Sequence, residues 1–138
     1  MDLCVFHLAI NVTDLSLARE FYGELIGAEE GRSTENWVDF NFFGHQLSLH
    51  LGTPLVSELT GNVDDTLVPM PHFGLVLPLP AWKSIASRLT DEKVDFILPP
   101  SVRYKGKKSE QYTLFLLDPF GNPLELKSFK DMNRLFAS

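Results

Sequence analysis

The sequence contains two copies of one pattern, and this internal repeat restricts the chain to folds built from paired modules. FHLAINV at 6–12 matches PHFGLVL at 71–77, and FFGHQLSLHL at 42–51 matches DPFGNPLELKSF at 118–129. Each half reads as a strand, a helix and about three strands. Such a half cannot bury both faces of its sheet alone, so two halves are expected to pack together around a concave surface. The sequence predicts an α+β fold with its functional site in that concavity.

Hydrophobic periodicity places the elements of each half. In the first half it predicts a strand over 3–12, a helix over 14–27, and a hairpin of 37–43 with 45–51. In the second half it predicts a strand over 72–79, a helix over 80–93, and strands over 94–100, 112–117 and 123–129. The apolar stripes of the two helices are expected to be Leu17, Phe21 and Leu25, and Trp82, Ile85 and Leu89.

The two halves are separated by a segment with little periodicity. Residues 51–70 are rich in proline, glycine and acidic residues, which is typical of a linker or a mobile lid. We therefore expect a single domain made of a first module at about 1–54, a linker at about 55–70 and a second module at about 71–138. The last residues, from Phe129, predict a short helix with Met132, Leu135 and Phe136 on its apolar side.

Composition excludes several classes of function. The 138 residues carry a net charge of −6 and a pI near 5.1, which disfavours nucleic acid as a partner because phosphate binding usually needs a basic face. The single cysteine, Cys4, cannot form an intrachain disulfide, and neither a signal peptide nor a membrane-spanning stretch is evident. We expect a cytoplasmic protein that acts on a small molecule and not at a membrane.

Three residues stand out as candidate metal ligands. His7 and His72 occupy the same place in the first strand of each half, and Glu125 lies between two leucines in the last strand of the second half. A twofold repeat brings equivalent positions together, so these side chains are expected to converge. A carboxylate buried among leucines is costly unless a cation balances it. Two imidazoles and one carboxylate with open positions are typical of Fe(II) sites, and Mn(II) accepts similar ligands.

These segments together resemble a known superfamily. The opening FHLAINVTDLSLAREFYGELIG, the histidine in PHFGLVL and the closing DPFGNPLEL are similar to the vicinal oxygen chelate superfamily of glyoxalases, bleomycin resistance proteins and extradiol dioxygenases. The resemblance covers nearly the whole chain and is nearest to small extradiol dioxygenase-like proteins. It implies two βαβββ modules that form a mixed, curved sheet around a metal-binding cup, with the metal held by His7, His72 and Glu125. Relatives are commonly dimers, which implies a homodimer.

The chain also departs from the patterns of that superfamily. Glyoxalase I members usually carry a fourth ligand four residues past the turn glycine of the first module, and here that residue is Ser48. His50 has the same strand parity and is a candidate fourth ligand or acid/base group. Extradiol enzymes keep a tyrosine where this chain has Phe115, and a histidine near 106–108, where it has Gly-Lys-Lys. His50, Tyr112 and Tyr104 are the candidates to replace these proton-handling groups.

The remaining candidates concern substrate binding. Asn41, Phe43, Ser48 and Tyr104 are predicted to contact the substrate, with Gln46 as a further polar anchor. The loop VRYKGKK at 102–108 places four cations in an acidic protein, either to meet an anionic substrate or as a solvated hairpin tip.

The leading functional hypothesis is a ring-cleaving, extradiol-like dioxygenase that uses Fe(II) or Mn(II) on a small aromatic diol, with zinc or nickel as alternative metals. His50 and Tyr112 are its predicted catalytic residues. One alternative keeps the metal but performs isomerisation or addition, as glyoxalases and fosfomycin resistance proteins do. The other alternative is a metal-free binding protein of the bleomycin resistance kind.

Overall fold

The computed structural model describes residues 3–137, which form two compact units. The first unit extends to Val56 and includes Pro119–Gly121, and the second contains Ser57–Asp118 and the chain from Asn122 onward. The first contains β1 (His7–Val12), α1 (Leu15–Ala18), β2 (Glu29–Ser33), β3 (Trp37–Phe42) and β4 (His45–Leu51). The second contains β5 (Glu58–Val63), β6 (Thr66–Met70), β7 (Phe73–Val76), α2 (Leu79–Asp91), β8 (Phe96–Arg103), β9 (Gln111–Leu117) and β10 (Pro123–Phe129).

The two units have the same sheet topology. The strand order is β1-β4-β3-β2 in the first unit and β7-β10-β9-β8 in the second. In each sheet the first strand lies parallel to the last strand of its module, and the other neighbours are antiparallel. This arrangement confirms the predicted α+β fold and the βαβββ modules.

The first helix differs from its predicted pattern. It is α-helical only over α1 and continues as a π-helical segment, Arg19–Leu25, in which the amide of Ile26 donates to the carbonyl of Phe21, five residues back. The buried residues of this helix are Ala18, Phe21, Tyr22 and Ile26, and the wider turn brings Ile26 rather than Leu25 to the buried side. Leu17 is exposed, so the predicted stripe with a spacing of four was wrong at that position.

The second helix matches its predicted pattern. α2 begins with a proline in its first turn, where the missing amide hydrogen costs nothing, and it buries Trp82, Ile85, Ala86 and Leu89. The indole Nε1 of Trp82 donates to the carbonyl of Leu126 at 2.8 Å, which fixes α2 against β10. No helix within residues 3–137 is both long and apolar enough to cross a bilayer.

The structure differs from the sequence interpretation at several short segments. The segment at 58–70, interpreted as part of a linker or lid, forms the hairpin β5–β6 around Asp64, whose φ is +53°. Val68 is buried, but several other apolar residues of the hairpin, such as Leu59 and Leu67, are exposed, which explains the weak periodicity. β1 begins at His7 rather than residue 3. Within residues 130–137, the only helical segment is a single 3-10 turn, Met132–Arg134.

Tight turns set the register that places the functional residues. Phe43 and Gly44 have φ values of +55° and +96°, so both adopt the left-handed conformation that suits a two-residue hairpin turn. This turn places Asp39 of β3 opposite Ser48 of β4.

The corresponding turn of the second unit is built differently. The side chain of Asp118 accepts hydrogen bonds from both the amide and the side chain of Asn122, each at 2.8 Å. The strands that follow this turn pair so that Phe115 of β9 lies opposite Glu125 of β10. Ser48 and Glu125 therefore hold equivalent positions in the two units, and so do Asp39 and Phe115.

Candidate functional site

The second unit brings two of the predicted ligands together. Glu125 lies on β10 opposite Gly74 of β7, and His72 immediately precedes β7. The Nε2 atom of His72 is 3.3 Å from Oε1 of Glu125, and the two side chains are 22% and 16% exposed. The pair is therefore mostly shielded from water but still reachable by a small ligand.

Hydrogen bonds fix the orientation of both side chains. The Nδ1 atom of His72 lies 2.7 Å from the carbonyl oxygen of Pro69, and since a carbonyl only accepts, Nδ1 carries the hydrogen. In the neutral ring the lone pair is then on Nε2, toward Glu125. The hydroxyl of Thr113 donates to Oε2 of Glu125 at 2.6 Å, and the ring of Phe115 packs edge-on against His72 at 4.9 Å.

This geometry fits a shared cation. A neutral imidazole nitrogen and a carboxylate oxygen are both acceptors, so their close approach is unfavourable unless a proton or a metal ion lies between them. Two ligand atoms on bonds of about 2.1 Å are about 3.0 Å apart at a right angle and about 3.4 Å apart at a tetrahedral angle. The observed separation of His72 and Glu125 lies within that range. Histidine with its second ring nitrogen bonded to a carbonyl is also the usual state of a metal ligand.

The backbone beside Glu125 leaves no room for a side chain on β7. A Cβ atom added at Gly74 would overlap the carbonyl oxygen and carbon of Glu125. The equivalent residue of β1 is Ala9, which pairs with Ser48. Glycine at position 74 is therefore required by the close approach of β7 to β10 at the site itself.

The first unit carries a buried carboxylate in a different position. Asp39 of β3 is 8% exposed and accepts a hydrogen bond of 2.6 Å from the hydroxyl of Ser48. The same hydroxyl lies 3.0 Å from Nε2 of His50. Ser48, expected to contact substrate, is thus buried and bonded to Asp39, whereas His50 is exposed and lies in the ring-stacked pair with Trp37.

The other oxygen of Asp39 leads to His7. Oδ2 accepts from Nε2 of Gln46 at 3.1 Å, and Oε1 of Gln46 lies 2.9 Å from Nδ1 of His7. The guanidinium of Arg32 is 3.9 Å from Asp39 but largely exposed, so its contribution is small. Asp39 therefore connects, through one side chain each, to both His7 and His50.

Two residues that were predicted to contact substrate belong to the turn between β3 and β4. Asn41 accepts a hydrogen bond of 2.7 Å from the amide of Gly44, and Phe43 is the exposed turn residue with positive φ. A third candidate, Tyr104, is exposed in a loop of the second unit, with the Arg103 guanidinium 5.0 Å from its ring. Their roles in substrate binding stay predictions.

Tyr112 lies on the wrong face of its strand to join Glu125. Strand alternation places Thr113 and Phe115 on the face of Glu125, whereas the ring of Tyr112 packs against Trp82 of α2 at 5.4 Å. Its hydroxyl donates to Glu110 at 2.6 Å. The hydrogen bonds from the Gly106 amide and from Tyr112 lower the pKa of Glu110, and the bond to Glu110 raises the pKa of Tyr112. These hydrogen bonds join Tyr112, near the start of β9, to the preceding loop, and its catalytic role stays a prediction.

The structure also contains functional candidates that the sequence reasoning missed. Asp39 and Thr113 were not predicted, although counting outward from the Phe43–Gly44 turn would have paired Asp39 with Ser48. The carbonyl of Pro69 carries no side-chain signal and was not predictable. Among residues 3–137 no group of three His, Cys, Asp or Glu side chains that could hold a metal is found, so the centre formed by His7, His72 and Glu125 stays a prediction.

Comparison with known proteins gives the same fold and a family. A glyoxalase/bleomycin resistance protein/dioxygenase from Alicyclobacillus acidocaldarius is 29% identical, with a TM-score of 0.77 and 96% of each chain covered. A glyoxalase/dioxygenase from Nostoc punctiforme is 17% identical, with a TM-score of 0.69 over 93% of this chain and 92% of its own. The fosfomycin resistance protein FosX from Listeria monocytogenes is 18% identical, with a TM-score of 0.66 over 98% and 100%.

The two structures below 25% identity show the fold alone. No curated protein sequence matches the chain significantly. The family model of the Glyoxalase/Bleomycin resistance protein/Dioxygenase superfamily matches residues 5–126, which is most of the chain. The repeated βαβββ units, the paired His72 and Glu125 and this match together establish that the chain belongs to the glyoxalase/bleomycin resistance/dioxygenase superfamily.

Proposed function

We propose that the protein is a metal-dependent enzyme in which His72, Glu125 and His7 hold one divalent cation. The observation that carries the proposal is the pair of facing acceptors in the second unit, Nε2 of His72 and Oε1 of Glu125, 3.3 Å apart. His7 is the proposed third ligand because it holds the position equivalent to His72 and has the same ring nitrogen, Nδ1, in a hydrogen bond. A site of two histidines and one carboxylate suits Fe(II) or Mn(II).

A bound divalent ion would act as a Lewis acid toward neighbouring oxygen atoms of a small substrate. The residues of the chain supply orientation. The Pro69 carbonyl orients His72 and the Thr113 hydroxyl orients Glu125. The ring of Phe115 packs against one side of the His72 imidazole and excludes water there. His50 is the proposed acid/base group, since it is exposed and its ring is steadied by Ser48 and Trp37.

The proposed reaction is cleavage of a small aromatic diol with dioxygen. The two-histidine, one-carboxylate set supports it, because this set is associated with iron oxygenases. A cytoplasmic homodimer that binds a small molecule, without nucleic acid or membrane, completes the proposal.

The test starts from purified protein reconstituted anaerobically with Fe(II) or Mn(II). We expect one metal ion per chain by elemental analysis, and oxygen uptake with at least one member of a catechol panel. His72→Ala should lose both. A chain that takes up no Fe, Mn, Ni or Zn, and is unchanged by His72→Ala, would be a metal-free binding protein, and the proposal would be wrong.

A second candidate is non-oxidative addition or isomerisation on the same metal. It is favoured by Phe115, which gives His72 an apolar neighbour where ring-cleaving relatives keep a tyrosine. The similarity to a fosfomycin resistance protein agrees with this candidate. Full metal loading with no oxygen uptake across the panel, followed by turnover of fosfomycin or a hemithioacetal, would select it.

A further inference from the structure

The two branches of hydrogen bonds from Asp39 determine which nitrogen carries the hydrogen in two histidines. On the first branch, a carboxylate can only accept, so the single hydroxyl hydrogen of Ser48 points at Oδ1 of Asp39, 2.6 Å away. The hydroxyl must then accept from His50, 3.0 Å away. His50 therefore carries its hydrogen on Nε2.

The second branch works through an amide. Oδ2 of Asp39 requires a donor, so the side-chain nitrogen of Gln46 faces it at 3.1 Å and the amide oxygen faces His7 at 2.9 Å. An amide oxygen accepts, and His7 must therefore carry its hydrogen on Nδ1. Its lone pair is then on Nε2, as in His72, where a backbone carbonyl has the same effect.

We propose that Asp39 is a positioning residue that selects the tautomers of both His7 and His50. It is suited to the role because it is buried and has both oxygens engaged by donors. It also lies on β3 beside β4, the strand that carries His50 and Gln46, and Gln46 in turn pairs with His7 of β1. The tautomer assignment depends on these hydrogen bonds alone. Its consequence for metal binding by His7 and for proton transfer by His50 rests on the proposed function.

The four histidines of the chain give the experiment its internal references. His72 should keep its hydrogen on Nδ1 in every variant, because Pro69 sets it. His45 should keep its hydrogen on Nε2, because its Nδ1 accepts from the amide of Phe6 at 3.1 Å. In the wild-type protein we expect two histidines of each tautomer.

The measurement is long-range ¹H–¹⁵N correlation NMR of the imidazole nitrogens in metal-free protein, at a pH about two units above the ordinary histidine pKa of about 6.5. Asp39→Asn replaces two acceptors by one acceptor and one donor. If the new donor faces Gln46, that amide must turn and the hydrogen of His7 moves to Nε2. If it faces Ser48, the hydroxyl reverses and the hydrogen of His50 moves to Nδ1. We expect one of the two histidines to switch.

Two further variants test the branch to His7 and the branch to His50 separately. They also keep the proposal testable if Asp39→Asn does not fold. Gln46→Leu should release His7 alone from its single tautomer, and Ser48→Ala should release His50 alone, with backbone amide spectra as the check on folding. Unchanged tautomers of His7 and His50 in all folded variants would overturn the proposal. So would a switch in His72 or His45, which would indicate a general rearrangement.

Metal titration of the same samples keeps the two proposals distinguishable. Orienting partners of ligands typically change metal affinity by about 10–100-fold, and we expect such a loss for Asp39→Asn when His7 is the histidine that switches. Tautomer switching in a protein that binds no metal would support the role of Asp39 and refute the proposed enzyme. Metal binding with unchanged tautomers would support the proposed metal site and refute the role of Asp39.

Discussion

The two sheets share a topology but place their carboxylates on different strands. In the second unit the acid is Glu125, on the central strand β10, and its cross-strand neighbour is Phe115. In the first unit the equivalent central position is Ser48, and the acid is the neighbour, Asp39. Glu125 therefore lies on the strand next to β7, which His72 precedes. Asp39 lies one strand farther from β1, the strand that carries His7.

This shift changes what each carboxylate can do. Both oxygens of Asp39 accept hydrogen bonds from neutral donors of its own unit, Ser48 and Gln46. Glu125 has a hydroxyl donor on one oxygen only, and its other oxygen faces a ring nitrogen. This difference agrees with the proposed roles, in which Glu125 binds a metal ion and Asp39 orients two histidines.

The strongest test of this comparison is to replace the two equivalent residues, Glu125 of β10 and Ser48 of β4, one at a time. Glu125→Gln should weaken Mn²⁺ binding by more than about 100-fold, since outer-shell changes alone cost about 10–100-fold. Ser48→Ala, at the equivalent position, should leave the affinity within about tenfold of wild type. Isothermal titration with Mn²⁺ measures both. Equal losses in the two variants would contradict the assignment of different roles.

A second test concerns the residues opposite these positions. Gly74→Ala should lower the free energy of unfolding by about 3 kcal/mol, because the new Cβ would overlap the backbone of Glu125 and the strands must separate. The matched change, Ala9→Gly, should cost about 0.5–1 kcal/mol through added freedom of the unfolded chain. Denaturant titration gives both values. A cost for Gly74→Ala below that of Ala9→Gly would show that the close approach of β7 to β10 is not a constraint.

The smallest expected effect is a difference in acid sensitivity between two loops. The loop before β9 is held by Glu110, whose pKa is lowered from 4.5 by the Gly106 amide and by Tyr112. Because the folded-state pKa lies below that of the unfolded chain, this stabilisation is present above pH 4.5 and is lost as the pH falls through the folded-state value. At the corresponding place in the first unit, Thr34 accepts from the amide of Asn36 without any charge.

Amide NMR during acid titration checks this prediction. The Gly106 signal should move with the protonation of Glu110, whereas the Asn36 signal should not respond to Thr34. Glu110→Gln should flatten the acid limb of the stability curve. Tyr112→Phe should shift it slightly toward higher pH and leave metal affinity unchanged, since this side chain lies away from the face of Glu125. If Glu110→Gln lost stability at low pH just as the wild-type protein does, the acid sensitivity would belong to another group.

The sequence predicted the architecture well because both copies of the repeat show clear hydrophobic periodicity and recognisable turn residues. The turn residues Gly44 and Gly121 fixed the register of both hairpins, and Trp82, Ile85 and Leu89 marked the second helix. The interpretation of the 58–70 segment failed because several of its apolar residues, such as Leu59 and Leu67, are exposed. The stripe of the first helix failed at Leu17, which lies outside the buried face, and at its far end, where the wider turn buries Ile26 more fully than Leu25. Single residues carry no signal of such widening.

The site was predictable in part for the same reason. His72 and Glu125 could be paired from their places in the repeat, and the structure places them side by side. The orienting partners were harder to find, since Asp39 and Thr113 have meaning only once the register is known, and Pro69 acts through its backbone. Tyr112 was chosen by residue type without strand parity, and its side chain lies on the face opposite Glu125, so its catalytic role stays a prediction.

The hydrogen bond from His72 to the carbonyl of Pro69 affects how the two units tolerate mutation. No side-chain substitution removes a carbonyl group, so the ring orientation in the second unit is protected against most point mutations. The ring of His7 depends instead on Gln46 and Asp39, either of which a single change can abolish. We expect variation among close relatives to concentrate on the first unit, where a new side-chain partner can retune a histidine without disturbing His72 and Glu125.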